Sequence, residues 1–137
     1  MESYVIDKDI RLCCKTASTF PEGVLAAHQS LHTTFEFDGK RRFFGLSRPD
    51  KGSIIYKAAV EIFDDENPED FEAQPGLIKM GEYTSLIIKD FRKDVPAIGK
   101  AFQLLLTNPA IDPEGYCVEL YIGMDDVRCM VRLKSRN

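Results

Sequence analysis

Apolar and polar positions alternate along most of the chain at the two-residue period of a half-buried strand. In the stretch Gly115 to Gly123, Val118, Leu120 and Ile122 point one way, and Cys117, Glu119 and Tyr121 the other. Met124-Asp125-Asp126 joins this strand to a second run, Val127 to Leu133. A longer strand is predicted from Ser53 to Phe63. Ile54, Tyr56, Ala58, Val60 and Ile62 share one side of it; Ile55, Lys57, Ala59, Glu61 and Phe63 share the other. Ile10–Lys15, Arg42–Ser47 and Leu77–Asp90 also read as strands, with Gly81 marking a bulge in the last. Pro49-Asp50-Lys51-Gly52 is a tight turn. The period changes to that of a helix twice. Val24, Ala27, Leu31 and Phe35 form a stripe over a helix from Glu22 to about Thr33, with Pro21 suited to its first turn. Ile98, Phe102 and Leu105 do the same over a helix opened by Asp94-Val95-Pro96 and ended near Thr107 by Asn108-Pro109.

The order strand, helix, strand, strand therefore occurs twice. At an offset of about 74 residues Lys15 falls on Lys89, Ala27 on Ala101, Leu31 on Leu105 and Leu46 on Leu120. The halves run from about 4 to 63 and from 77 to 134. An acidic linker, 64–76, carries Pro68 and Pro75, shows no apolar period and reads as a loop. Neither half could bury a core alone, so one α+β domain is expected. It would pair two βαββ repeats into an antiparallel sheet, with both helices on one face and a cleft between the halves.

With 137 residues the chain is long enough for a real core. Hydrophobic residues make up 44% and charged ones 29%, the balance of a globular protein. The net charge of −4 and the lack of a basic stripe argue against direct nucleic-acid binding. No apolar run approaches the length of a membrane span. Met1-Glu2-Ser3-Tyr4 has neither a basic nor an apolar segment, so no signal peptide and a cytoplasmic location are expected.

Two carboxylates stand in mid-strand among apolar neighbours, Glu61 and Glu119. On a buried face such a charge needs a partner or must be neutralised, and a cationic or donor-rich ligand would supply one. On an open face Glu119 meets water and Glu61 pairs with a surface Lys or Arg. If both faced one cleft, their repulsion would raise one pKa and create an acid–base pair. His28 and His32 have a metal-compatible spacing, but no third ligand is placed to join them, so no metal and no cofactor are expected. Asp64-Asp65-Glu66 lacks the spacing of a calcium loop and reads as a solvated turn. Cys13, Cys14, Cys117 and Cys129 form no CxxC pair and read as buried, inert thiols.

Three segments, in this order and spacing, resemble the GyrI-like small-molecule-binding domain of bacterial effector-binding proteins. They are Ile54 to Ile62, the strand start Lys79-Met80-Gly81-Glu82-Tyr83-Thr84, and Val118-Glu119-Leu120-Tyr121 with its closing strand. The resemblance spans about Ile10 to Leu133. It implies a pseudo-two-fold pair of repeats and a ligand cleft with Glu119 at its base. Aromatic rings would stack on the ligand; Tyr121 and Tyr83 are the leading candidates, followed by Tyr56, Phe44 and Phe43. The chain has no Trp, and it lacks a helix-turn-helix, so any regulatory role would act through a partner protein. Three functions stay open. The first is binding of an amphipathic, cationic small molecule. The second is hydrolysis of an electrophilic, cyclopropane-type toxin by Glu119 and Glu61. The third is a protein-interaction module such as a gyrase inhibitor. A free strand edge would also permit a homodimer.

Overall fold

The computed structural model describes residues 1–135. The fold class is the expected α+β one: among the described residues there are eight strands, paired antiparallel within each unit, two α-helices and two short 3-10 turns. In chain order these are β1 (Glu2–Ile6), β2 (Ile10–Thr16), α1 (Val24–His32), β3 (Phe43–Asp50), β4 (Ser53–Glu61), β5 (Gln74–Ile78), β6 (Gly81–Ile88), α2 (Pro96–Leu105), β7 (Cys117–Ile122) and β8 (Asp126–Arg132). They fall into two compact units. One holds Asp9–Lys79, with strands in the order β3-β4-β2-β5 and α1 packed on β4 and β2. The other holds Met1–Lys8 and the chain from Met80, with strands in the order β1-β6-β8-β7 and α2 packed on β8 and β6.

Within each unit the βαββ order is the repeat read from the sequence. Ala27 and Leu31 of α1 are buried, as are Ala101, Phe102 and Leu105 of α2. Leu105 has no exposed surface, and burying such a side chain contributes about 1.5–3 kcal/mol. Pro96 opens α2 where a missing N–H costs nothing. The α2 core contains Val127, Cys129 and Val131 of β8, with Leu86 and Ile88 of β6 packed against it.

Two strands differ from the sequence expectation. β1 was not anticipated, and β5 lies partly in the acidic stretch expected to be a loop. Each is its half's leading strand, but each adds to the other half's sheet: β1 pairs with β6, and β5 with β2. Inside its unit each has a single partner strand, which leaves a weak, mostly exposed pattern with no clean alternation. One pairing edge also tolerates Pro75. The expected continuous strand Leu77–Asp90 is broken at Lys79 and Met80, where the chain passes from one unit to the other. Gly81 takes a φ of +143° there, a backbone region closed to side chains.

Glu66 is another correction. It is no solvated turn residue: both carboxylate oxygens accept hydrogen bonds from Arg41 at 2.7 Å, and Oε1 also accepts the Phe63 N–H. The Arg41 guanidinium in turn lies over the rings of Phe35 and Phe63.

Candidate functional site

Strand register decides which face each candidate side chain occupies. In β7 and β8, Glu119 stands opposite Cys129, and Cys129 stands opposite Leu86 of β6. Leu86 and Cys129 both belong to the core under α2, so Glu119 points to the face that α2 covers. Cys117 and Tyr121, two residues to either side, pack against the same core. Val118 and Leu120 take the other face, as the alternation predicted. Tyr83 does too: it is opposite Arg132, and Ser85 is opposite Met130, the residue paired with Val118. The structure therefore brings Glu119 and Tyr121 together and turns Tyr83 to the reverse side of the same sheet.

Glu119 is 8% exposed. The Tyr121 hydroxyl donates to its Oε1 at 2.5 Å, a short charge-assisted bond. Burial, and then the nearby Glu119 charge, push the Cys117 thiol up to about 11. The same two causes, with Cys117 as a third, push Cys129 to about 12. Both thiols stay protonated at neutral pH, so they contribute apolar packing beside the carboxylate and no competing nucleophile.

Sequence reasoning missed Phe91. Its ring centroid lies 5.7 Å from that of Tyr121, and it packs against the same core. It is held by a latch between the 89–92 segment and the β7–β8 turn. Phe91 N–H donates to the Asp125 carbonyl, Asp90 N–H to Asp126 Oδ1, and Arg92 Nε to the Met124 carbonyl. Lys89 pairs with Asp126 at 3.3 Å. An aromatic residue just after a strand carries no local signal of this role; the latch that places it joins segments over thirty residues apart.

The remaining candidates lie in the other unit. Tyr56 is on the α1 face, nearly fully buried, with its hydroxyl 2.7 Å from His28 Nε2 and its ring stacked on Phe20. His32 stacks on Phe43. Both histidines thus have packing roles, and among the described residues no cluster of three metal-ligating side chains occurs. Phe44 and Glu61 share the face turned away from α1, since Phe44 pairs with Ala59, two residues from Glu61. Phe44 is completely buried. Glu61 receives Arg42 Nη2 at 2.7 Å, Nε at 3.1 Å and the Arg42 N–H at 3.0 Å. Burial alone would raise its pKa, but these hydrogen bonds and the Arg42 charge outweigh it and hold the carboxyl below its ordinary range.

No protein-family model and no curated protein matches the chain. Solved structures do share its fold. One is an integron cassette protein from the mobile metagenome of Vibrio cholerae, 11% identical, with 97% of this chain and 95% of that one covered and a TM-score of 0.67. Another is a hydrolase from Listeria innocua, also 11% identical, with 97% and 90% covered and a TM-score of 0.56. At that identity the likeness concerns the fold. Among the described residues no helix is long and apolar enough to cross a membrane. The carboxylate of Glu119, buried and bonded to a tyrosine, is consistent with a small-molecule-associated function and names no ligand.

Proposed function

We propose that this protein hydrolyses a small electrophilic organic molecule, with Glu119 as general base. The observation that carries the reading is the Glu119–Tyr121 pair: a carboxylate largely removed from water, with one oxygen fixed by a phenol. Desolvation makes a carboxylate a better base, and the fixed oxygen sets its direction. In the reaction, water attacks the electrophilic carbon and gives a proton to Glu119. The bond from that carbon to the leaving atom breaks, and the leaving atom takes the proton from the carboxyl group. Tyr121 is a positioning residue. Glu61 is left out of the proton transfer, because its ion pair with Arg42 lowers its pKa and occupies both oxygens, which makes it a weaker base. Support comes also from the Listeria protein, a hydrolase on the same fold, and from the GyrI-like resemblance of the strands around Glu119. The test is a mass-spectrometric screen of epoxides, lactones and activated cyclopropanes. Glu119→Gln keeps the shape and removes the base, so turnover should fall about 10²- to 10⁴-fold. Undiminished turnover in that variant would overturn the assignment.

Binding without turnover is the second reading, favoured by the Phe91 and Tyr121 rings, 5.7 Å apart and tilted by 50°, on the face that carries the Glu119 carboxylate. Ligands would then raise the melting temperature without yielding product. Glu119→Gln would weaken cationic ligands more than neutral ones.

A further inference from the structure

A hollow lies in the Asp9–Lys79 unit, and its lining includes neither Glu119 nor Tyr121. It has a volume of about 440 Å³ and is lined by residues 16–20, Glu22 and residues 53–55. Its walls are built rather than loose. Ala17 N–H donates to the Tyr56 carbonyl, Gly23 N–H to the Thr19 carbonyl, and Val24 N–H to the Pro21 carbonyl. A Cβ on Gly23 would come within 2.8 Å of the Thr19 carbonyl oxygen, so the turn closes as tightly as glycine allows.

The chemistry of the lining is mixed in a specific way. The Phe20 ring is 43% exposed, yet its orientation is set from behind: it stacks on Tyr56 at 5.9 Å, and Tyr56 is bonded to His28. Ile54 adds a second exposed apolar surface. Around these stand the hydroxyls of Ser18 and Thr19 and the carboxylate of Glu22, none of which is engaged by another side chain among the described residues. No lining residue is basic. An anionic ligand is therefore disfavoured. A purely apolar ligand would leave the hydroxyls unpaired.

We infer that this hollow is a binding site for a small saccharide, neutral or amino-substituted. The C–H face of one ring lies on Phe20, and its hydroxyls pair with Ser18, Thr19 and Glu22. The preformed Phe20–Tyr56 stack lowers the ordering cost of binding. An amino group on the sugar adds a charge-assisted bond to Glu22.

The test is titration of ¹⁵N-labelled protein with maltose, cellobiose and glucosamine, each to its solubility limit, followed by amide shifts. Saturable shifts confined to residues 16–22 and 53–55 are expected. Phe20→Ala should weaken binding about tenfold, the change produced by losing ~1.4 kcal/mol of contact. Ile54→Ala, which leaves the ring in place, should weaken it less. Glu22→Gln, which keeps a hydrogen-bonding group but loses the charge, should weaken glucosamine more than maltose. Three results would each overturn the inference: no saturable shifts with any of the sugars, shifts centred elsewhere, or equal affinity in a folded Phe20→Ala protein. Since Glu119 takes no part, neither outcome bears on the hydrolase reading.

Discussion

Arg42→Ala separates a structural glutamate from a functional one. The guanidinium makes two side-chain hydrogen bonds to Glu61, and the Arg42 N–H makes a third that the substitution leaves in place. An exposed ion pair is worth about 0.2–1 kcal/mol. This one has bidentate geometry and a Glu61 side chain only 16% exposed, which place it at the upper end. Arg42 itself is 44% exposed, so water and salt screen the pair. The expected cost is about 1 kcal/mol at neutral pH. Because the folded-state pKa of Glu61 is depressed, its contribution is fully present above the usual carboxylate range and fades as pH falls through the folded value. Urea unfolding of the wild type, Arg42→Ala, Glu61→Gln and the double variant gives the coupling energy. It should be about 1 kcal/mol at neutral pH and shrink as the pH falls below the ordinary carboxylate range. Hydrolysis or ligand binding should be unchanged in all folded variants. A coupling indistinguishable from zero at neutral pH, or one that persists undiminished in acid, would refute the electrostatic account. Lost activity in a stable Glu61→Gln protein would return Glu61 to the site.

Other outcomes follow from the same geometry. Tyr121→Phe removes a hydrogen bond to a carboxylate, typically about 1.5–3 kcal/mol, and should cut turnover or ligand affinity at least tenfold while leaving the circular dichroism spectrum unchanged. With thiols pushed up to about 11 and about 12, Cys117 and Cys129 should resist alkylation by iodoacetamide at neutral pH and react once the protein is unfolded in urea. Labelling of the folded protein at the rate of a free thiol would contradict this. Gly81→Ala should destabilise by about 1–3 kcal/mol, read from the denaturation midpoint. The added methyl meets the Arg132 side chain at 3.0 Å, which can move, but the φ of +143° cannot be relieved.

The alternating runs and the two helical stripes were enough to place both βαββ repeats and the face of Glu119 on its own strand, because period follows directly from backbone geometry. The apolar setting of Cys13, Cys14 and Cys129 pointed to burial, which the structure shows; Cys117 is only half-buried. The sequence could not reveal that β1 and β5 exchange between halves, since a strand with one partner and a mostly exposed pattern leaves little apolar signal. Nor could it separate Tyr83 from Tyr121. Both fit the same family-like words, and only the register across β6, β8 and β7 puts them on opposite faces. Glu61 and Glu119 looked alike as mid-strand carboxylates. Their difference lies in who approaches them: an arginine just before the neighbouring strand for one, a tyrosine two residues along the same strand for the other. Such partners are chosen by tertiary packing, which brings distant segments within hydrogen-bond range and so sets the charge, direction and exposure of a group that the chain alone can only name.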